Sequence, residues 1–253
     1  MFGRAAVLIA LTLGCSSSAP TGTLAVPPEG MIAIPSANFF LDRAPVTVAE
    51  VRAIGMRTTA ERLGGSVIDL STGTWRIVQG ATYEHPRGPD GDDARDDEPA
   101  TQISWDDAAA LCAARGARLP TEREWEHAAR NGRGDRTTYP WGDDARDAAG
   151  RWRTNVWQGA FPTLNTLEDG FLYASPVGSF PPTPIGLVDM VGNVWQWTSD
   201  TLEAGDARRA MRGGSFLCDA DVCHGYRIDA RQGATPNSAL MHVGFRCAMD
   251  APR

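Results

Sequence analysis

A single α+β domain, irregular and rich in loops, is the fold class this sequence predicts, and three observations predict it. Glycine (27 residues) and proline (17) are spread along the 253-residue chain, so turns and loops should take up much of it. Two strong helix-start patterns lie mid-chain, with short β-like runs on either side. No internal repeat and no second domain boundary is evident. The expected divisions are a signal peptide at residues 1–15, a flexible tether at 16–30 and one domain at 31–253.

The elements follow in order. MIAIPSANFFLD (31–42) alternates loosely and reads as one or two short strands. In PVTVAEVRAIG, Thr47 stands three residues before Glu50, a capping box that opens a short helix ending at Gly55. SVIDLSTGTWRIVQGAT (66–82) reads as a hairpin turning at Ser71-Thr72-Gly73. The acidic run RGPDGDDARDDEP (87–99) reads as a solvated loop rather than a calcium loop. SWDDAAALCAARG has Ser104 as N-cap, Asp107 in the first turn and Gly116 as its stop; Cys112 shares a face with Ala108 and Leu111 and should point inward. LPTEREWEHAARNG repeats the design, with Thr121 and Glu124 as the box and Trp125 and Ala128 on one face. From Tyr139 onward the chain turns loop-rich.

Composition narrows function. The net charge is −7 and all 24 basic residues are arginines without a basic stripe, which argues against nucleic-acid binding because phosphate contacts need clustered cations. MFGRAAVLIALTLGC reads as a signal peptide: Arg4 precedes an apolar run from Ala5 to Leu13 that is too short to span a bilayer. Its end, Leu13-Gly14-Cys15, resembles a bacterial lipoprotein box, with Thr12 where a bulky aliphatic is usual. Lipidation at Cys15 would leave an exported, membrane-anchored lipoprotein on the periplasmic or extracellular side, touching the membrane only through that anchor. The alternative is a plain secretory signal with a chance cysteine. SSSAPTGTLAVPPEG is then the tether.

An exported chain meets an oxidising compartment. Beyond Cys15, four cysteines remain (Cys112, Cys218, Cys223 and Cys247), and their spacing does not choose among the three possible pairings. Cys218 and Cys223, in GGSFLCDADVCHGYR, could be a disulfide, a metal clip, a catalytic pair or two buried small residues.

Several stretches together carry a resemblance. RLPTEREWEHAARNG, YPWGDD, NVWQGAFPTLNTLEDGF, GLVDMVGNVWQWTSD, RGGSFLCDADVCHGYR and HVGFRC occur in this order. They resemble the formylglycine-generating enzymes, or sulfatase-modifying factors, from about Met31 to Cys247. The resemblance implies a loop-rich fold related to C-type lectins. It also implies copper-dependent oxidation by O2 of a cysteine in a Cys-X-Pro-X-Arg motif of a sulfatase. Cys218 and Cys223 would hold Cu(I), which soft thiolates select. Ser215 would lie near the sulfurs, Trp195 would line the substrate groove and Arg227 would lie close to the cysteine pair. The bland alternatives are a core tryptophan and a structural salt bridge. Cys112 and Cys247 would form a disulfide; a second family bridge is absent, its positions being Ala129 and Ile228. Structural Ca2+ would take Asn155, the Val156 carbonyl, Asp169 and the Phe171 carbonyl at one site. A second would use Asp189, the Gly192 and Val194 carbonyls and Gln196, where glutamate is usual. The partner would be a sulfatase or another cysteine-bearing protein, and the chain itself a monomer.

Departures from the pattern leave rivals. The N-terminal segment is short, and Val222 replaces an aromatic before the second cysteine. The export signal is unusual for bacterial members that modify sulfatases. A catalytically inactive lipoprotein scaffold is therefore the alternative function, and a Cys218–Cys223 disulfide the alternative to a copper pair. An iron-dependent sulfoxide-synthase reading would need clustered histidines, whereas His85, His127, His224 and His242 are scattered.

Overall fold

The computed structural model describes residues 26–220 and 225–252. Cys15, Val222, Cys223 and His224 lie outside the described residues, as do the signal peptide and most of the tether. No helix among the described residues is long and apolar enough to cross a membrane.

The first strands are β1 (Met31–Ala33) and β2 (Phe39–Asp42), an antiparallel pair, and β9 (Ala248–Asp250) returns from the C-terminus to the other edge of β2. Helix α1 (Val48–Ile54) carries the expected Thr47/Glu50 capping box and ends at Gly55, whose φ of 69° is the left-handed stop glycine supplies without a Cβ clash. A one-turn helix α2 (Ala60–Leu63), absent from the sequence expectations, leads into the hairpin β3 (Gly65–Asp69) and β4 (Thr74–Val78).

The acidic run is a loop whose carboxylates pair with arginines: Asp92 with Arg87 and Asp97 with Arg95 within the loop, and Asp96 with Arg52 of α1. Helices α3 (Trp105–Ala114) and α4 (Glu122–Ala129) open on reciprocal Ser104/Asp107 and Thr121/Glu124 boxes. Each box satisfies backbone donors that a bare helix end would leave unpaired.

The second sheet runs in the order β7 (Arg231–Ala234), β6 (Arg209–Arg212), β5 (Trp195–Thr201), β8 (Val243–Gly244), with β5 and β8 parallel. Helix α4 packs on β5 and β6, and α3 on β5. The main core lies among these elements and the first sheet and contains Leu41, Val51, Leu111, Trp125, Trp195, Trp197, Phe245 and Ile228. Ala129 and Ile228, the positions of the missing family bridge, are both fully buried there, so apolar packing occupies that place. A smaller core under the β3–β4 hairpin gathers Val67, Ile68, Trp157, Phe216, Leu217 and Met241.

Cys112 and Cys247 are joined by a disulfide that ties α3 to the end of the chain. Around it, the Asp42 carboxylate accepts two hydrogen bonds from Arg115 (2.8 and 2.9 Å) and one from the Cys247 N–H (2.8 Å). A buried carboxylate is tolerated there because its charge is paired and its lone pairs are used.

Candidate active site

The site is built where the chain leaves β6. Gly213 and Gly214 both have positive φ (98° and 74°), and a Cβ on Gly214 would lie 2.4 Å from both the Gly225 carbonyl carbon and the Tyr226 nitrogen. Only glycine lets the two backbones approach this closely. The double turn folds residues 215–218 back toward the segment that returns at Gly225.

Three hydrogen bonds pin the turn in place. The Cys218 N–H donates to the Ser215 carbonyl (2.9 Å), the Trp157 N–H to the Cys218 carbonyl (3.0 Å), and the Phe216 N–H to the Asn193 carbonyl (2.9 Å). Ser215 is fully buried, and its Oγ lies 3.9 Å from Cys218 Sγ, beside the sulfur as the resemblance implies. The same Oγ accepts from the Leu217 N–H at 3.3 Å. Cys218 is 1% exposed.

Cys218 is disulfide-bonded, and because Cys112 and Cys247 are bonded to each other, its partner lies outside the described residues. In this state the sulfur is no thiolate. Two electrons and two protons would be needed to open it to the thiol form from which a soft metal ligand arises.

The other two expected site residues are placed differently. Trp195 is 2% exposed and lies in the core, not along a groove. It heads β5, whose first four residues are all buried because the strand is central in its sheet and covered on both faces. Arg227 is half exposed and pairs with Asp229 at 3.5 Å. It lines a polar cleft of about 400 Å³ with Glu126, Arg130, Asp135 and Thr138.

Aromatic residues missed in the sequence adjoin the site. Tyr139 stacks between Tyr226 and Trp141, with ring centroids 5.9 and 5.6 Å apart. Burial, with the neighbouring Tyr226, holds the Tyr139 hydroxyl well above its ordinary pKa, so it stays protonated. Their sequence signal was their place in the matching stretches YPWGDD and RGGSFLCDADVCHGYR.

At the first expected calcium site, Asn155 is fully buried; its Nδ2 donates to the Tyr173 carbonyl (2.8 Å) while its Oδ1 has no partner. Asp169 accepts from the Val156 and Phe171 N–H groups, both at 2.9 Å, and burial raises its pKa. The Val156 carbonyl accepts from Gln158. An orphaned buried oxygen beside a desolvated carboxylate suits a hard cation.

At the second expected site, the Gln196 amide is engaged on both its ends. Gln196 Oε1 accepts from Trp125 Nε1 (2.8 Å) and from Arg246 Nε (2.6 Å), and its Nε2 donates to the Asp189 carbonyl (2.7 Å). Its one side-chain oxygen is taken by two N–H donors. Desolvation pushes the Asp189 carboxyl up to about 6, against the Gly178 N–H and the charges of Arg246 and Arg43. Arg246 was missed; its only signal was its place in HVGFRC, where Cys247 drew the reading.

Residues 14–251 match the model of the sulfatase-modifying factor enzyme 1-like domain. The formylglycine-generating enzyme of Streptomyces coelicolor is 40% identical over 248 residues, covering 84% of this chain and 78% of that relative. The inactive C-alpha-formylglycine-generating enzyme 2 of Bos taurus is 42% identical over 241 residues, covering 85% and 78%. Among solved structures, PvdO from Pseudomonas aeruginosa has a TM-score of 0.61 at 23% identity, covering 84% of this chain and 80% of that one, a likeness of fold alone. Matched along nearly its whole length, the chain belongs to the sulfatase-modifying factor enzyme 1-like family.

Proposed function

We propose that this protein is a formylglycine-generating oxidase that converts a cysteine in a Cys-X-Pro-X-Arg motif of an exported sulfatase, or of a similar protein, to formylglycine. One observation carries the reading: a buried serine hydroxyl 3.9 Å from the sulfur of a buried cysteine, on a turn that only two glycines can make. A plain scaffold needs neither feature.

Copper(I), when bound, supplies the chemistry with O2. Cys218 and Cys223, once reduced, are the residues that would hold it, and paired thiolates suit this soft ion. The chain's own groups do the rest. The Ser215 hydroxyl donates to the Cys218 sulfur and so favours and orients its anionic form. Cys218 is buried against the main core, which keeps water from its sulfur. Removing two electrons and two protons from the methylene thiol of the substrate cysteine gives a thioaldehyde, whose hydrolysis releases hydrogen sulfide and leaves the aldehyde. Full reduction of O2 to water takes two further electrons, which a thiol reductant provides. Structural Ca2+ at Asn155 and Asp169 would hold the loop that carries Trp157. The N-terminal signal fits a lipid-anchored protein outside the cytoplasm.

The rival is a silent member of the family, favoured by the oxidised Cys218 and by the 42% identical relative whose name calls it inactive. The full chain in detergent, reduced with a thiol, loaded with Cu(I) and incubated in air with a Cys-X-Pro-X-Arg peptide, separates the two by mass spectrometry of the peptide. Copper-dependent aldehyde is expected, with none from Cys223→Ala and a roughly 10- to 100-fold slower rate from Ser215→Ala. No aldehyde from the reduced, copper-loaded wild type would mean the silent reading is correct.

A further inference from the structure

We infer that the Gln196 amide, its oxygen taken by Trp125 and Arg246, closes the second calcium position to a metal ion. Arg246 is fully buried, and every N–H it owns has an acceptor. Nε donates to Gln196 Oε1 (2.6 Å). One terminal nitrogen donates to the Asp42 and Arg43 carbonyls (2.9 and 3.3 Å), and the other to the Val188 and Asp189 carbonyls (2.8 and 3.0 Å). These bonds fix the guanidinium, and with it the Nε–H aimed at Gln196.

The orientation of the Gln196 amide is forced. Trp125 Nε1–H and Arg246 Nε–H have no acceptor character, and both point at the same atom of Gln196. That atom must be the oxygen. The amide nitrogen therefore faces the Asp189 carbonyl, at 2.7 Å, and presents hydrogens where a metal would need an electron pair. A glutamate at this position has two oxygens, one to keep both donors and one to offer a metal. Glutamine has one, already used. Whether the chain oxidises cysteine has no bearing on this site.

The experiment counts calcium ions on the full chain. Protein stripped with a chelator is titrated with calcium alone, followed by native mass spectrometry and calorimetry, with circular dichroism to confirm that each variant is folded. The wild type should take at most one ion, lost in Asp169→Asn. Gln196→Glu should take one more than the wild type, because its second oxygen is free. No ion on the wild type with one on Gln196→Glu supports the same closure of the second position. Two ions on the wild type, one of them lost in Asp189→Asn, would overturn the inference. So would a folded Gln196→Glu that gains no ion, since the amide would then not be what closes the place.

Discussion

Replacing Gly214 by alanine tests whether the double-glycine turn builds the site. Two costs are separable from the structure. At φ 74° an alanine pays the left-handed penalty, about 1–2 kcal/mol. Its Cβ would also lie 2.4 Å from two backbone atoms of Gly225 and Tyr226, which cannot rotate away as a flexible side chain could. Forcing atoms into a packed interior costs about 1–3 kcal/mol more, so the total is about 2–5 kcal/mol. Gly55→Ala is the control. Its φ is 69°, nearly the same, but nothing lies within 4 Å of the added carbon, so it should cost only the left-handed term. Urea denaturation of the full chain under non-reducing conditions gives both values. The rate of peptide oxidation should fall with Gly214→Ala and stay unchanged with Gly55→Ala, because only the first displaces Ser215 and Cys218. If the two variants are equally stable within about 0.5 kcal/mol, the close approach at Gly214 has no energetic consequence and the reasoning is wrong.

Two further predictions concern stability. The Cys112–Cys247 bridge spans a sequence separation of 135, for which the chain-entropy relation gives about 5 kcal/mol. The Cys112→Ala/Cys247→Ala double variant should lose several kcal/mol in the same assay, and a loss below about 1 kcal/mol would contradict that origin. His242 has a shielded, unpartnered Nδ1, lies tilted against the Trp75 ring with centroids 5.0 Å apart, and is held at a pKa of about 4 by desolvation. Its depressed value makes its contribution present above the unfolded pKa near 6.5 and lost as pH falls toward 4, by at most about 3 kcal/mol. Asp189, raised to about 6, acts in the opposite sense over much of that range. The comparison is therefore wild type against His242→Phe, which should lose less stability between pH 7 and 4; parallel profiles would sink the prediction.

Local chemistry carried the helices and turns into view from the sequence alone. Capping boxes act over three residues, so Thr47/Glu50, Ser104/Asp107 and Thr121/Glu124 could be read directly, and each opens a helix where expected. The Ser71-Thr72-Gly73 turn and the inward face of Cys112 were legible for the same reason: periodicity and turn chemistry act over a few residues. The order of the matching stretches identified the fold, and with it the pairing of Cys112 with Cys247, which spacing left open.

What the tertiary structure decided depends on groups far apart in the chain. Trp195 is buried because β5 is central in a sheet whose neighbours come from residues 209–212 and 243–244. Arg227 turns to Asp229 and the surface. Gln196 has the composition of a weak calcium ligand, yet Trp125, 71 residues away, and Arg246, 50 residues away, both claim its oxygen. A side chain's type, which the sequence supplies, limits the bonds it can make; which of them it makes is decided by the partners that packing brings within about 3 Å.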